Sequence, residues 1–398
     1  MIADRMVTYV QQSSLIRAMF EEGKRLASIH GAENVYDFSL GNPNVAAPAE
    51  VNETAIQILQ EELSTMVHGY MNNSGYDDVR GKIAESLNKR FGTEFGPHNI
   101  LMTVGAAGGL NVIFKTLLNP EDEVITFAPY FGEYRAYTAN YDGKLVVVSP
   151  NTETFQPNLT EFAEKITPKT KAVIINSPNN PTGVVYSEET IMALSAILLE
   201  KQDEFGTDIY LISDEPYREL VYDGVEVPYL PNYYDNTIVG YSFSKSLSLP
   251  GERIGYLVLP DTLSDAQNII AAANVANRIL GFVNAPSLFQ RVVSRCLDVD
   301  IAPNIAKYNA NRELLYTNLL SYDYECIKPE GAFYLFVKSP IADDIAFCQM
   351  AKKYNLLIVP GTSFGCPGFV RIAYCVSHDT AKNALPAFKK VMEEVKAL

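Results

Sequence analysis

The sequence has few of the residues on which metal and disulfide chemistry depend. Its 398 residues include four histidines and five cysteines. No two histidines have the His-x-x-x-His or His-Glu-x-x-His spacing that puts two ligands on one helical face, and no Cys-x-x-Cys pair occurs. The odd number and wide spacing of the cysteines argue against a disulfide framework. We therefore expect reduced thiols and no metal site, and with so few histidines we do not expect Ser-His-Asp catalysis.

Basic residues and long apolar runs are also scarce. The 32 Lys and Arg residues against 47 Asp and Glu give a formal net charge of −15, and such a surface repels nucleic acid backbones and anionic lipids. No stretch approaches the roughly 18 apolar residues of a spanning helix, and the first residues lack a hydrophobic signal core. We expect a cytoplasmic protein with neither nucleic acid nor a membrane as its partner.

The sequence does contain a regular alternation of β-rich and helical segments. This pattern predicts an α/β domain whose large, mostly parallel sheet lies between helices. The predicted strands are seven, at residues 100–104, 123–127, 144–148, 172–176, 208–212, 237–241 and 254–259. The predicted helices are at residues 14–29, 109–118 and 188–200. Past residue 300, helices at 304–320 and 344–354 alternate with strands at 332–337, 356–359 and 369–374, which predicts a second, smaller α+β domain.

Four segments that follow predicted strands carry groups suited to one ligand. Ligands of open α/β sheets bind outside the carboxyl ends of the strands. Small residues that open a helix can receive a phosphate there. The four segments are Gly105-Ala106-Ala107-Gly108-Gly109, Ser177-Pro178-Asn179-Asn180-Pro181-Thr182-Gly183, Ser213-Asp214-Glu215-Pro216-Tyr217 and Ser242-Phe243-Ser244-Lys245-Ser246. The first segment lacks the Gly-x-Gly-x-x-Gly fingerprint, so NAD is not expected.

Lys245 distinguishes this set from ordinary turns and caps. It is the only charged residue between Asp235 and Glu252, and it follows an apolar strand. A buried amine has its neutral form favoured and can form a Schiff base with an aldehyde. Arg253, in a tight turn eight residues later, can meet a phosphate. A lysine, a carboxylate and phosphate donors together indicate a pyridoxal phosphate site.

These motifs, in this order, resemble those of the fold type I, pyridoxal phosphate-dependent aminotransferases of the class I/II group over essentially the whole chain. The motifs are Ser-Pro-Asn-Asn-Pro-Thr-Gly, Asp-x-x-Tyr, Ser-x-Ser-Lys and Pro-Gly-x-Arg-x-Gly-Tyr. The resemblance implies ping-pong transamination of an L-amino acid with a 2-oxo acid through a lysine Schiff base. It also implies a homodimer with active sites at the subunit interface, a large cofactor-binding domain of residues 45–300, and a small domain of residues 1–44 and 301–398.

The resemblance also implies roles for individual residues. Lys245 forms the Schiff base and moves the Cα proton, and Asp214 pairs with the pyridinium nitrogen. Tyr217 and Asn180 hydrogen-bond the ring oxygen, and Phe131 stacks on the ring. Arg371 binds the substrate α-carboxylate, with Asn180 and Gly41 beside it. The implied phosphate contacts are Ala106, Ala107, Ser242, Ser244, Arg253 and, from the other subunit, Tyr70.

The motifs leave open both the substrate and the type of reaction that follows Schiff-base formation. Ala107 stands where some aspartate-using relatives carry a lysine, which counts against dicarboxylic substrates. Arg278 lies near the place where other relatives use an arginine from the partner subunit, but an isolated arginine is also typical of a helix surface. A carbon–sulfur β-lyase of the same fold would have nearly the same motifs. A pyridoxal phosphate-sensing regulator domain is the remaining alternative, and the acidic charge argues against it.

Overall fold

A computed structural model describes residues 2–11 and 15–398. The strands are β1 (Tyr36–Asp37), β2 (Ile100–Thr103), β3 (Glu123–Phe127), β4 (Lys144–Val148), β5 (Thr170–Asn176), β6 (Tyr210–Asp214), β7 (Thr237–Ser242), β8 (Gly255–Val258), β9 (Tyr334–Lys338), β10 (Leu356–Leu357), β11 (Val359–Pro360) and β12 (Phe369–Ala373). The helices before β5 are α1 (Asp4–Gln11), α2 (Leu15–His30), α3 (Ala49–Glu61), α4 (Ser64–Val67), α5 (Asp77–Phe91), α6 (Gly105–Leu117), α7 (Glu133–Ala139) and α8 (Leu159–Lys165). Those after it are α9 (Glu188–Phe205), α10 (Phe243–Ser246), α11 (Ala266–Ile279), α12 (Ser287–Val293), α13 (Ala302–Ser321), α14 (Asp344–Lys352) and α15 (His378–Lys396).

The main sheet confirms the predicted α/β class. Within the described residues it has seven strands in the order β2-β8-β7-β6-β5-β3-β4. Strand β8 runs antiparallel to β2 and β7, and the other pairs are parallel. Apolar side chains from the two faces of the sheet join separate buried clusters. Burial on both faces explains why these strands read as continuous apolar runs.

Each of the seven predicted runs is a strand; β3 and β4 have the predicted bounds, and the other five have shifted ends. The largest shift is in β6, which was predicted at 208–212 and spans Tyr210–Asp214. Asp214 is therefore the last residue of the strand and not the second residue of a following loop. Helix α6 begins at Gly105, four residues before the predicted start, so the glycine segment is the first turn of a helix. The predicted helix 14–29 corresponds to α2, and its first residue lies outside the described residues.

The region past residue 300 is α+β as predicted. Strands β11, β12 and β9 form an antiparallel sheet, and α13 and α15 contribute buried residues to the same apolar cluster. The predicted strand 356–359 is two short strands, β10 and β11. Strand β10 pairs in parallel with β1, which joins the start of the chain to its end. Among the described helices, none has the length and apolar character needed to cross a membrane.

Candidate active site

A cleft of about 290 Å³ lies at the carboxyl ends of the central strands. It brings together nearly all of the predicted site residues, although they come from distant parts of the sequence. The predicted residues that line it are Gly41, Ala106, Ala107, Phe131, Asn180, Asp214, Tyr217, Ser242, Ser244, Lys245, Arg253 and Arg371. Tyr70 is the exception: it is 94% exposed and does not line the cleft of its own chain.

Lys245 lies in α10, the single turn that follows β7. Its Nζ donates a hydrogen bond to the carbonyl oxygen of Gly41 at 2.6 Å. Burial lowers the pKa of the amine to about 8, and the charges of Arg371 and Arg253 act in the same direction. The neutral amine, which is the form that attacks an aldehyde or accepts a proton, is therefore far more accessible near neutral pH than in an exposed lysine.

Asp214 is buried beneath the cleft with one carboxylate oxygen unpaired. Its Oδ2 accepts a hydrogen bond from the hydroxyl of Tyr134 at 2.6 Å. Its Oδ1 is buried and has no hydrogen-bond partner among the described residues. Burial raises the pKa of the carboxyl group to about 7, the charge of Glu215 adds to the rise, and the Tyr134 hydrogen bond opposes it. A buried acceptor without a donor is costly, and the N–H of a protonated pyridine would satisfy it.

The loop after β5 is ordered by its own asparagine side chains. Asn176 Oδ1 accepts from the backbone N–H of Asn180 at 2.7 Å, and Asn176 Nδ2 donates to the carbonyl oxygen of Asp214 at 2.8 Å. Asn179 Oδ1 accepts from the backbone N–H and the hydroxyl of Thr182 at 3.1 and 2.9 Å. These bonds fix the position of Asn180 relative to Asp214, as side-chain turns of asparagine commonly do.

Arg371, on β12, is a buried cation without an acidic partner among the described residues. Its Nη1 donates to Asn180 Oδ1 at 2.9 Å, and its Nη2 donates to the carbonyl oxygen of Ser39 at 2.6 Å. The rings of Tyr334 and Phe364 lie 4.6 and 4.8 Å from the guanidinium carbon. Its Nε is buried without a partner in the described part of the chain. A buried guanidinium that lacks a carboxylate favours an anionic ligand, and its planar donors match a carboxylate.

The other end of the cleft is suited to a phosphate. Ala106 and Ala107 lie in the first turn of α6, where backbone N–H groups have no partner within the helix. The hydroxyls of Ser242 and Ser244 lie 2.7 Å apart. Gly105 has a φ of +74°, and a Cβ added there would lie 2.9 Å from Nη2 of Arg253. Glycine at this position therefore lets the arginine reach the start of the helix.

Comparisons with known proteins agree with this arrangement. The family model described as aminotransferase class I and II matches residues 32–388. The aspartate aminotransferase of Thermotoga maritima is 31% identical over 381 residues, which are 94% of this chain and 96% of the relative. An aminotransferase from Eubacterium rectale has a crystal structure with a TM-score of 0.96, at 47% identity and 99% coverage of each chain. The aspartate aminotransferase of Thermus thermophilus with maleate has a TM-score of 0.88, at 27% identity over 98% and 100% of the two chains.

The chain belongs to the class I and II aminotransferases. It is therefore an enzyme that uses pyridoxal phosphate to exchange an amino group between an amino acid and a 2-oxo acid. The family predicted from the motifs is confirmed, and the relatives reported above are all named as aminotransferases and not as lyases or regulators.

Two tyrosines of this aminotransferase site have no predicted role in it. Tyr134 donates a hydrogen bond to Oδ2 of Asp214. Tyr134 follows Phe131 by three residues in a segment of helical spacing, and this spacing could have indicated that Tyr134 lies beside the site. Tyr334 is hydrogen-bonded to Tyr217, with 2.8 Å between the two hydroxyl oxygens. No local signal links these two residues, because 117 positions separate them.

Proposed function

We propose that this aminotransferase acts on amino acids with an uncharged side chain. The observation that carries this proposal is the set of cations in the cleft. In the described part of the chain, the cationic side chains of its lining are Lys245, Arg253 and Arg371. We assign Lys245 to the amine chemistry, Arg253 to the cofactor phosphate and Arg371 to the substrate α-carboxylate. Ala107 stands where a lysine serves some aspartate-using relatives, so no cation of the described lining remains for a second carboxylate.

The rest of the lining supports the same substrate class. Leu40, Leu110, Phe131 and Tyr137 contribute apolar surface to the cleft. An apolar wall discriminates weakly among neutral side chains, but it disfavours a carboxylate that would lose its hydration without gaining a partner. We therefore expect a broad preference for aliphatic and aromatic donors.

We infer the roles of the site residues from their contacts. Pyridoxal phosphate, when bound, supplies an aldehyde for amines and a ring that accepts electrons from the substrate Cα. Asp214 would hold the ring nitrogen at its unpaired Oδ1, and Asn180 and Tyr217 the ring oxygen, with Phe131 against the ring face. The phosphate would be held by Ala106, Ala107, Ser242, Ser244 and Arg253.

Lys245 is the proposed base. Its Nζ has a free lone pair in the neutral form, which the lowered pKa of about 8 makes accessible. It would take the proton from the substrate Cα and deliver it to the carbon that carries the cofactor's aldehyde, on the other side of the amino nitrogen. Arg371 would orient the amino acid by its α-carboxylate so that this proton faces the amine, with Gly41 and Asn180 at its side. Return of the amino group to a second oxo acid by the same residues gives ping-pong kinetics.

We propose that two copies form a homodimer with Tyr70 of each reaching the partner's cleft. Leu63, Met66 and Tyr70 are 74%, 56% and 94% exposed, and Ile279 on α11 is 58% exposed. The loop of Tyr70 and the end of α11 are neighbours, since Asn277 Nδ2 donates to the carbonyl oxygen of Asn73 at 3.0 Å. Large apolar side chains exposed in neighbouring segments are typical of a buried interface.

The division into domains is likewise a proposal. We assign residues 45–300 to the large domain and residues 1–44 with 301–398 to the small domain. The pairing of β1 with β10 supports the assignment of the N-terminal segment. A cytoplasmic location, without nucleic acid or membrane partners, stays the prediction made from charge and composition.

The substrate proposal is tested by half-reactions without an acceptor. Holoenzyme is mixed with one amino acid at a time, and the loss of its visible band is followed. We expect phenylalanine, methionine or leucine to react with a kcat/KM at least about tenfold above that of aspartate or glutamate, since one unmatched buried charge costs at least about 1–3 kcal/mol. Faster reaction of aspartate would overturn the proposal. The variant Arg278→Gln then tells whether an arginine of the partner subunit binds the second carboxylate.

A further inference from the structure

Tyr217 and Tyr334 form a buried pair at the edge of the cleft. Their hydroxyl oxygens lie 2.8 Å apart, and the side chains are 4% and 2% exposed. The rings pack edge to face, with centroids 5.7 Å apart. Tyr217 follows β6, whereas Tyr334 is the first residue of β9. The pair therefore joins the wall that carries Asp214 to the sheet that carries Arg371.

Each hydroxyl has one proton, and only one of the two can be shared within the pair. Burial raises the pKa of Tyr334 to about 12 and that of Tyr217 well above its usual range. Arg371 opposes the rise for both hydroxyls, and Cys375 adds to it. Both groups therefore stay protonated in the neutral pH range. Whichever hydroxyl donates within the pair leaves the other free to donate elsewhere.

The surroundings decide which proton is free. A Cβ added at Gly41 would lie 2.1 Å from the Tyr334 hydroxyl oxygen and 3.0 Å from its Cζ. The chain at Gly41 thus covers this hydroxyl, and the carbonyl oxygen of Gly41 already accepts from Lys245. The Arg371 guanidinium lies over the Tyr334 ring at 4.6 Å and can only donate. Among the described residues, the hydrogen-bond partner of the Tyr334 hydroxyl is Tyr217, whose oxygen can accept its proton.

We propose that Tyr334 is a positioning residue whose hydroxyl donates to Oη of Tyr217, and so directs the Tyr217 proton to the ring oxygen of pyridoxal phosphate. This inference rests on the proposed role of Tyr217 as a ring-oxygen partner. A hydroxyl that accepts one hydrogen bond is a stronger donor in the next, because hydrogen bonds in a chain polarise one another. Tyr334 therefore strengthens the bond that Tyr217 makes.

The test is the pH at which the visible band of the holoenzyme changes. A hydrogen bond from Tyr217 stabilises negative charge on the ring oxygen, so the proton responsible for the colour change leaves at a lower pH. The variant Tyr334→Phe removes the hydroxyl and keeps the ring that packs on Arg371 and Tyr217. We expect its midpoint to rise by about 0.5 to 1 pH unit, the size of one neutral hydrogen bond.

Four further variants make the result specific. Tyr217→Phe should raise the midpoint at least as much as Tyr334→Phe does. The midpoint of the double variant Tyr217→Phe/Tyr334→Phe should be no higher than that of Tyr217→Phe, because Tyr334 acts through Tyr217. Gly41→Ala crowds the hydroxyl without removing it and should raise the midpoint too. Tyr324→Phe loses a buried hydroxyl that donates to the carbonyl oxygen of Phe388 at 2.9 Å in the C-terminal part of the chain, and it should leave the midpoint unchanged.

The outcomes separate the inference from the proposed function. A rise in Tyr334→Phe that is absent in Tyr324→Phe supports the inference. An unchanged or lower midpoint in Tyr334→Phe, with a rise in Tyr217→Phe, means that Tyr334 is no donor to Tyr217, and it overturns the inference alone. If Tyr217→Phe also leaves the midpoint unchanged, the role of Tyr217 is wrong and the inference is lost with it.

Discussion

The hydroxyl of Tyr134 lies 2.6 Å from Oδ2 of Asp214 and leaves Oδ1 as the unpaired oxygen of the carboxylate. Tyr134 comes from α7 and is 1% exposed, so it reaches Asp214 from within the protein. The contact has two effects. It occupies Oδ2 and so leaves Oδ1 for a ligand, and it opposes the rise that burial causes in the pKa of the carboxyl group, which is about 7 with this bond in place. Ionisation of Asp214, on which a protonated ring nitrogen depends, is therefore supported by a neighbour.

We expect Tyr134→Phe to weaken the binding of pyridoxal phosphate below neutral pH. Loss of the hydrogen bond lets the pKa of Asp214 rise further, by about 0.5 to 1 unit for one bond. The carboxyl group is then protonated over a wider range on the acid side and cannot pair with a protonated ring. Cofactor binding to the apoenzyme, measured from pH 5 to 9 and compared with wild type, should show its acid limb moved to higher pH. In Asp214→Asn this limb should be absent, and an unmoved limb in Tyr134→Phe contradicts the prediction.

We expect Lys245 to lower the stability of the apoenzyme at neutral pH. Its folded-state pKa of about 8 lies below the 10.5 of an exposed lysine, so between these values the unfolded chain binds more protons. Stability contributed by this site therefore rises with pH from about 8 to 10.5 and is at its lowest below pH 8. We expect Lys245→Met to stabilise the apoenzyme at pH 7 by on the order of 1–2 kcal/mol, after discounting for partial solvation and the lost bond to Gly41.

Denaturant unfolding of the two apoproteins at pH 7 and pH 10 measures this difference. The stability gained in Lys245→Met relative to wild type should be smaller at pH 10 than at pH 7. The same variant should lack the band that borohydride bleaches in wild type, because it has no amine for the cofactor aldehyde. A variant that is less stable than wild type at pH 7 would mean that the amine is not penalised by its surroundings.

Arg371→Lys should separate substrate binding from cofactor binding. Lysine keeps the positive charge but cannot donate to Asn180 and a carboxylate in one plane. We expect KM for the amino donor to rise by about 10- to 100-fold, equivalent to about 1.4–2.7 kcal/mol, with little change in cofactor affinity. Arg253→Lys is the matched control and should have the opposite pattern, with weaker cofactor binding and a smaller change in KM. Equal effects of both substitutions on the two constants would argue against the assigned ends of the cleft.

The sequence and the structure agree best where the signal is local. Strands β3 and β4 have the predicted bounds, because their apolar runs are flanked by clear breaks. Strand β6 was placed two residues too early, since serine and aspartate are poor strand formers and the pairing of Asp214 with Gly240 overrides that preference. The contacts Tyr134 to Asp214 and Tyr217 to Tyr334 join residues 80 and 117 positions apart. Such contacts depend on how helices pack on the sheet, which periodicity does not specify.

The role proposed for Tyr70 across the subunit interface predicts that two inactive variants restore each other. Tyr70→Ala removes the contact to the partner's phosphate site, and Lys245→Ala removes the base. In a mixed dimer one cleft carries both substitutions, whereas the other has an intact Lys245 and receives an intact Tyr70. Random exchange of subunits between equal amounts of the two should restore about one quarter of wild-type activity, because half of the dimers are mixed and each has one intact site of two. Activity is measured after unfolding and refolding the variants together, with each refolded alone as the control. If Tyr70 served its own cleft, every site in the mixture would keep one defect and no activity would return.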